Sequence, residues 1–249
     1  MDFSQLFKTV DTIAPGYESG IFTSTHLIIL FSEILFIALM ARKYKFLDKT
    51  KRRKMIRGFG FFVIINELLK DLYLLFLGEL QWKNLPLHLC GINAIVIALH
   101  LITGKKKASE WLYAMSLPGG LVALISPDWS KLPVLNIMFW QTNTIHTVLV
   151  LYPVLLLVGG FKPSPKRFLS ILPYFLILIC IIYPLNKILN TNFLFINFAP
   201  LGTPFAVFEE LLGNPGYIAA FAALLTIVWV LLYLPWRKKE QKVTQQSEL

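Results

Sequence analysis

In the stretch LPLHLC, His88 and Cys90 place an imidazole and a thiol just inside an apolar run. A thiol becomes an effective nucleophile only beside a base or a positive charge. The matching base is His146, in FWQTNTIHTVLVLYP. A histidine in a span is costly when charged and titrates near neutral pH, which suits proton transfer. Such an imidazole needs a group to orient it. Glu67 and Asp71 offer carboxylates on one helical face with Lys70, at spacings of three and four. Glu67 is the first choice and Asp71 the second, although a self-neutralising face equally suits helix packing. Asn93, three residues from Cys90, and Asn143, three from His146, offer amides to an oxyanion. On a regular helix Cys90 and Asn93 lie about 60° apart and His88 about 160° from Cys90. His88 therefore belongs at the mouth of a site or on a lipid headgroup. His100, about 15 Å of helix rise from Cys90, reads as a packing residue. His88, Cys90, His146 and Glu67 are zinc-ligand types, but the divergence of His88 and Cys90 argues against a metal, and no cofactor is expected.

The elements that must hold these residues are membrane spans. Of 249 residues, 56% are hydrophobic and 15% charged, and mean hydropathy is +0.63. Several runs approach the roughly 20 apolar residues that cross a bilayer core. The expected fold is all-α: a single integral membrane domain over 1–249, a polytopic bundle of seven helices. The spans are read at 23–42, 55–78, 85–103, 108–126, 137–159, 168–187 and 217–235, with a basic tail over 236–249. Net charge is +10, concentrated in RKYKFLDKTKRRK, GKKK, FKPSPKR and WRKKEQK. Seven crossings put all four segments on one side. Basic loops favour the cytoplasm, so Asp2 is expected outside and Lys238 inside. This clustering orients spans and does not indicate nucleic acid. The first twenty residues lack a basic start followed by an apolar stretch, so the first span is expected to target the chain. Cys90 and Cys180 both fall in apolar runs, with nothing to indicate a disulfide.

Depth links the chemistry to the spans. If the third span enters from outside at Leu85, Cys90 lies about 8 Å in, and His146 about 9 Å in if its span begins near Trp140. The second span leaves toward the same side and brings its acids to that level. SPDWSKLP reads as a surface turn, with Val134–Trp140 near the interface. Residues 190–216 form a long outer loop in which FAVFEELLG suits a short interfacial helix ended by Gly213.

LPLHLC, FWQTNTIHTVLVL and NTNFLFINFAPLGTPFAVFEELLGNPGYI together resemble the YwaF / transmembrane protein 164 (TMEM164) family of integral membrane acyltransferases. The resemblance runs from about Glu67 to Trp236. It implies transfer of a fatty acyl group between phospholipids, with Cys90 at the position of the family's motif cysteine and His146 at that of its span-five histidine. It departs at Ala199, where the family carries lysine. The expected function is a lipid acyltransferase or transacylase with membrane lipids as donor and acceptor, in a bacterial plasma membrane, with no protein partner. Water in place of the acceptor would make it a lipase. The alternative is a transporter or ligand-binding protein using Glu67, Lys70, Asp71 and His146 as a polar path. The absence of a visible internal repeat weighs against that reading.

Overall fold

Apolar runs of this length leave the backbone no partner but itself, and among the described residues every regular element is helical. The computed structural model describes residues 3–200 and 203–247, with side chains described except at 204 and 238–247. Asp2, expected as the outer marker, lies outside the described residues, and so does the side chain of Lys238. The helices are α1 (Ser24–Phe46), α2 (Lys49–Phe76), α3 (Leu89–Thr103), α4 (Lys106–Trp111), α5 (Leu117–Ile125), α6 (Ile137–Val158), α7 (Pro165–Leu189), α8 (Pro204–Leu212) and α9 (Gly216–Ser247). A π-turn over Leu112–Ser116 joins α4 to α5 in one continuous run. Each of the seven stretches read as spans is therefore helical over most of its length, the third only from Leu89. Four helical segments are long and apolar enough to cross a membrane: α1, α6, α7 and Gly216–Arg237 of α9. The helix α3 is apolar but shorter.

The axis of the bundle is α6. Its apolar window is 56% buried, against 6% for α1, 17% for α7 and 11% for α9. It packs on α1, α2 and α5. Gly120 permits the close approach of α5, since a Cβ there would lie 2.8 Å from Val150 Cγ2. Small residues at such crossings let backbones approach where lipid supplies no driving force.

The bundle has two distinct ends. At one, the buried Asn136 starts α6 by accepting from the amides of Met138 and Phe139, at 2.8 and 3.1 Å. Its own amide donates to the carbonyls of Gln5 and Lys8, both at 2.8 Å, and so pins the N-terminal segment. Lys83 pairs with Asp11 at 2.5 Å, and Tyr73 donates to the Phe7 carbonyl at 2.6 Å. At the other end lie the basic connections. Arg52 closes the α1–α2 corner by donating to the carbonyls of Leu47 (2.9 Å) and Lys45 (2.5 Å). Asp48 starts α2, and the Lys51 amide bonded to it at 2.9 Å holds its carboxyl below the usual range.

A buried carboxylate ties three helices at this second end. Glu110 of α4 is fully buried. It accepts from Arg167 Nε of α7 at 2.6 Å, from Tyr233 of α9 at 2.5 Å and from the Ser164 amide at 3.1 Å. The neighbouring π-turn displaces the i−4 ladder, and the Ala114 carbonyl accepts from Trp229 of α9 at 2.9 Å. Removing one member of a buried pair strands the other, typically at a cost of about 3–5 kcal/mol. Glu110→Ala is therefore expected to lower the thermal unfolding midpoint of the purified protein sharply. Ser32→Ala, at an exposed position, should leave it within error. An unchanged midpoint for Glu110→Ala would show that this junction does not hold α4, α7 and α9 together.

Candidate functional site

The first turn of α3 positions Cys90. Helix formation begins at Leu89, so His88 is the cap residue, in extended backbone (φ −69°, ψ 158°). The expectation that His88 diverges from Cys90 by about 160° assumed a helix that already included it, and that premise does not hold. Its ring instead sits against Phe193 and Phe195, with centroids 5.3 and 5.4 Å away. Cys90 is the second residue of the helix, where backbone amides lack intrahelical acceptors and the dipole favours negative charge. Only glycine fits at 91, because a Cβ would lie 2.6 Å from the Cα of Pro86.

The helix α6 positions His146. Its Nδ1–H donates to the Thr142 carbonyl at 2.8 Å, since a carbonyl can only accept. The tautomer is thereby set, and Nε2 carries the lone pair. Trp129 stacks on the imidazole, with centroids 4.7 Å apart and planes at 21°. The imidazole is thus oriented by a backbone carbonyl and an indole, where the sequence reading had looked to Glu67 or Asp71.

The helix α2 supplies charge. Lys70 is hydrogen-bonded to Glu67 and lies 3.3 Å from Asp71. Glu67, Lys70 and Asp128 all act electrostatically on Cys90. Asp128 and Glu67 act on His146, and Asp128 and Lys70 on His88. The thiol and the imidazole therefore share two carboxylates, Glu67 and Asp128. An imidazolium formed in this field would be countered by both. Among the described residues no group of three or more His, Cys, Asp and Glu side chains is arranged to hold a metal ion.

Other polar side chains of α2, α3 and α6 are bonded within the bundle. Asn93 accepts from the Trp111 indole at 3.0 Å, and Asn143 donates back to the Phe139 carbonyl at 2.9 Å. Asn66 accepts from Gln141 at 2.7 Å and so joins α2 to α6. His100 bonds Tyr152 at 2.9 Å through Nδ1. Cys180 is exposed on α7.

Two site residues escaped the sequence reading. Asp128 and Trp129 lie in SPDWSKLP, read there as a surface turn. Asp128 is exposed, but Trp129 is 4% exposed and its indole N–H, also buried, has no hydrogen-bond partner among the described residues. A tryptophan in a polar turn beside an apolar helix was the available signal.

The loop after α7 is built from amides. Asn186 accepts from the Phe193 amide at 2.8 Å and donates to its carbonyl at 2.9 Å. Asn192 accepts from the amides of Asn197 and Phe198, at 3.0 and 3.2 Å. Leu194 and Phe195 both take positive φ, 58° and 56°, a strained choice for such side chains. That bend puts the two phenylalanine rings on His88. The expected short helix is α8, and Gly213 is its cap. The Ala199 amide donates to Glu209 at 2.9 Å.

Comparison with curated proteins and with solved structures finds no match to this chain. The model of the TMEM164 family matches residues 21–233, which take in α1 to α8, most of α9, Cys90 and His146. This protein, with its four membrane-competent apolar helices, is therefore a membrane protein that belongs to the TMEM164 family.

Proposed function

We propose that the protein is a multi-pass acyltransferase or transacylase of the bacterial plasma membrane that moves a fatty acyl group between phospholipids through Cys90 and His146. The chain forms one domain with seven crossings. The end that carries the N-terminal segment faces outward, and the end that carries the basic connections faces the cytoplasm. The observation that carries the reading is the His146 tautomer: Nδ1–H is committed to Thr142, so Nε2 is a proton acceptor in the same field as the thiol.

In the first half-reaction the Cys90 S–H proton passes to His146 Nε2 and the sulfur bonds to the ester carbonyl carbon of the donor lipid. The tetrahedral oxyanion collapses, the carbon–oxygen bond to the lysolipid breaks, and the leaving oxygen takes the proton from the imidazolium. In the second, Nε2 removes the proton from an acceptor hydroxyl, whose oxygen attacks the thioester and releases the thiol. Glu67 and Asp128, with Asp71 behind Lys70, counter the transient imidazolium. The free amides of the first turn of α3 suit the oxyanion, with the amide groups of Asn93 and Asn143 as further donors. His88, held by the outer loop, borders the mouth.

Incubation of purified protein with native lipid extract should yield a fatty-acyl adduct by intact mass, mapping to Cys90 and not to Cys180. Cys90→Ala should abolish the adduct and turnover. His146→Ala should lower turnover by about 10²–10⁴-fold, the usual contribution of a general base. A Cys90→Ala variant with full activity on its native lipid would sink the reading.

Trp129 is a positioning residue. Trp129→Leu removes the stacked ring and should lower turnover by about 10–100-fold, with the adduct still on Cys90. Trp129→Phe keeps a ring over the imidazole and should recover most of the loss. Equal losses for Leu and Phe would assign Trp129 to folding alone.

For topology, single cysteines introduced in 42–54 should resist an impermeant thiol reagent on intact cells, and those in 190–200 should react. Labelling of 42–54 under those conditions would reverse the orientation.

A further inference from the structure

A groove of about 760 Å³ opens between α1, α2 and α6, within the size range of small-ligand sites. Cys90, on α3, is not among its lining residues. Its walls include Phe36, Phe59 and Phe62, and the flanking Phe31, Leu35 and Phe61 are exposed apolar side chains. Glu33 enters this groove from α1. Among the described residues it has no salt-bridge partner, and an ionisable residue so placed is costly unless it has a task.

Hydrogen-bond accounting defines that task. Ser32 donates to the Ile28 carbonyl at 2.8 Å, Thr144 to Trp140 at 2.7 Å and Thr147 to Asn143 at 2.8 Å. Each hydroxyl has one proton, so all three present only acceptor oxygens to the groove. The Glu33 carboxyl lines the same groove as Thr147 and adds its oxygens to these acceptors. The polar stripe thus matches a ligand that brings a donor. Thr147 lies about 10 Å of helix rise below Trp140 at the outer rim. A group reaching that depth must be small and uncharged, since a phosphate head would have to leave the interface.

We propose that this groove binds a neutral long-chain lipid alcohol, its hydroxyl donating to Glu33 and its hydrocarbon chain lying along the phenylalanines. The site does not rest on the acyl-transfer reading, and Cys90→Ala should bind the alcohol as the wild type does. The test uses full-length protein in nanodiscs and a long-chain alcohol carrying a photoreactive diazirine. Crosslinks are expected on α1, α2 and α6. Palmityl alcohol should compete about tenfold better than its methyl ether, which lacks the donor, and lysophosphatidylcholine should compete poorly. Glu33→Leu should lose this preference. Glu33→Gln, whose carbonyl still accepts, should keep it. Equal competition by alcohol and ether on wild-type protein, or crosslinks confined to other helices, would overturn the proposal, and neither result depends on the folding of a variant.

Discussion

Hydrocarbon offers a polar group no hydrogen bond, so each polar atom carried into this bundle must find its partner inside the chain or face a cost of several kcal/mol. The path of α6 through the middle of the fold follows from this. It carries Asn143, Thr144, His146 and Thr147 within one short stretch, and each returns a bond to a backbone carbonyl of its own helix. For the threonines and asparagine this only hides polarity. For His146 the same economy settles which nitrogen keeps its proton, and a satisfied ring becomes a directed base. The lone pair left on Nε2 is thus a by-product of how a membrane helix disposes of its polar side chains.

The same constraint organises the two ends by different means. At the basic end one carboxylate, Glu110, gathers a guanidinium, a phenol and a backbone amide from three elements. At the opposite end, asparagine amides do the work of a ladder. Asn136 holds the N-terminal segment to the start of α6, and Asn186 and Asn192 fold the loop after α7 on itself. An amide both donates and accepts without charge, which suits irregular backbone near lipid. Through this loop, Phe193 and Phe195 reach His88, so the residue that begins α3 is held from above while Gly91 is held from behind by Pro86. The thiol between them is placed by backbone geometry more than by its own contacts.

The division of labour around α6 follows from its neighbours. Toward α2 and α3 it faces charge: a lysine clasped by two carboxylates, with a further aspartate from the 127–132 turn. Toward α1 and the first half of α2 it faces aromatic walls and the carboxyl of Glu33. One face suits proton transfer and charge separation, the other an uncharged chain, and the helix insulates the first from the second.

What the sequence by itself determined was hydrophobic length, charge placement and residue type. These are properties of segments, and lipid reads them segment by segment. The helical stretches, the clustering of basic residues in the connections and the short helix ended by Gly213 were all legible. Only the tertiary structure decided which groups meet. Glu67, the sequence's choice to orient the imidazole, turns to Lys70, while a carbonyl four residues back and an indole from a turn read as surface hold the ring. Trp129 could not be placed from its neighbours in sequence, because its burial depends on α6 passing over the turn. His88 could not be placed from helical periodicity, because the helix begins one residue after it. Periodicity describes a helix already formed, whereas caps, turns and stacked rings arise where elements converge, and that convergence is written in no single segment.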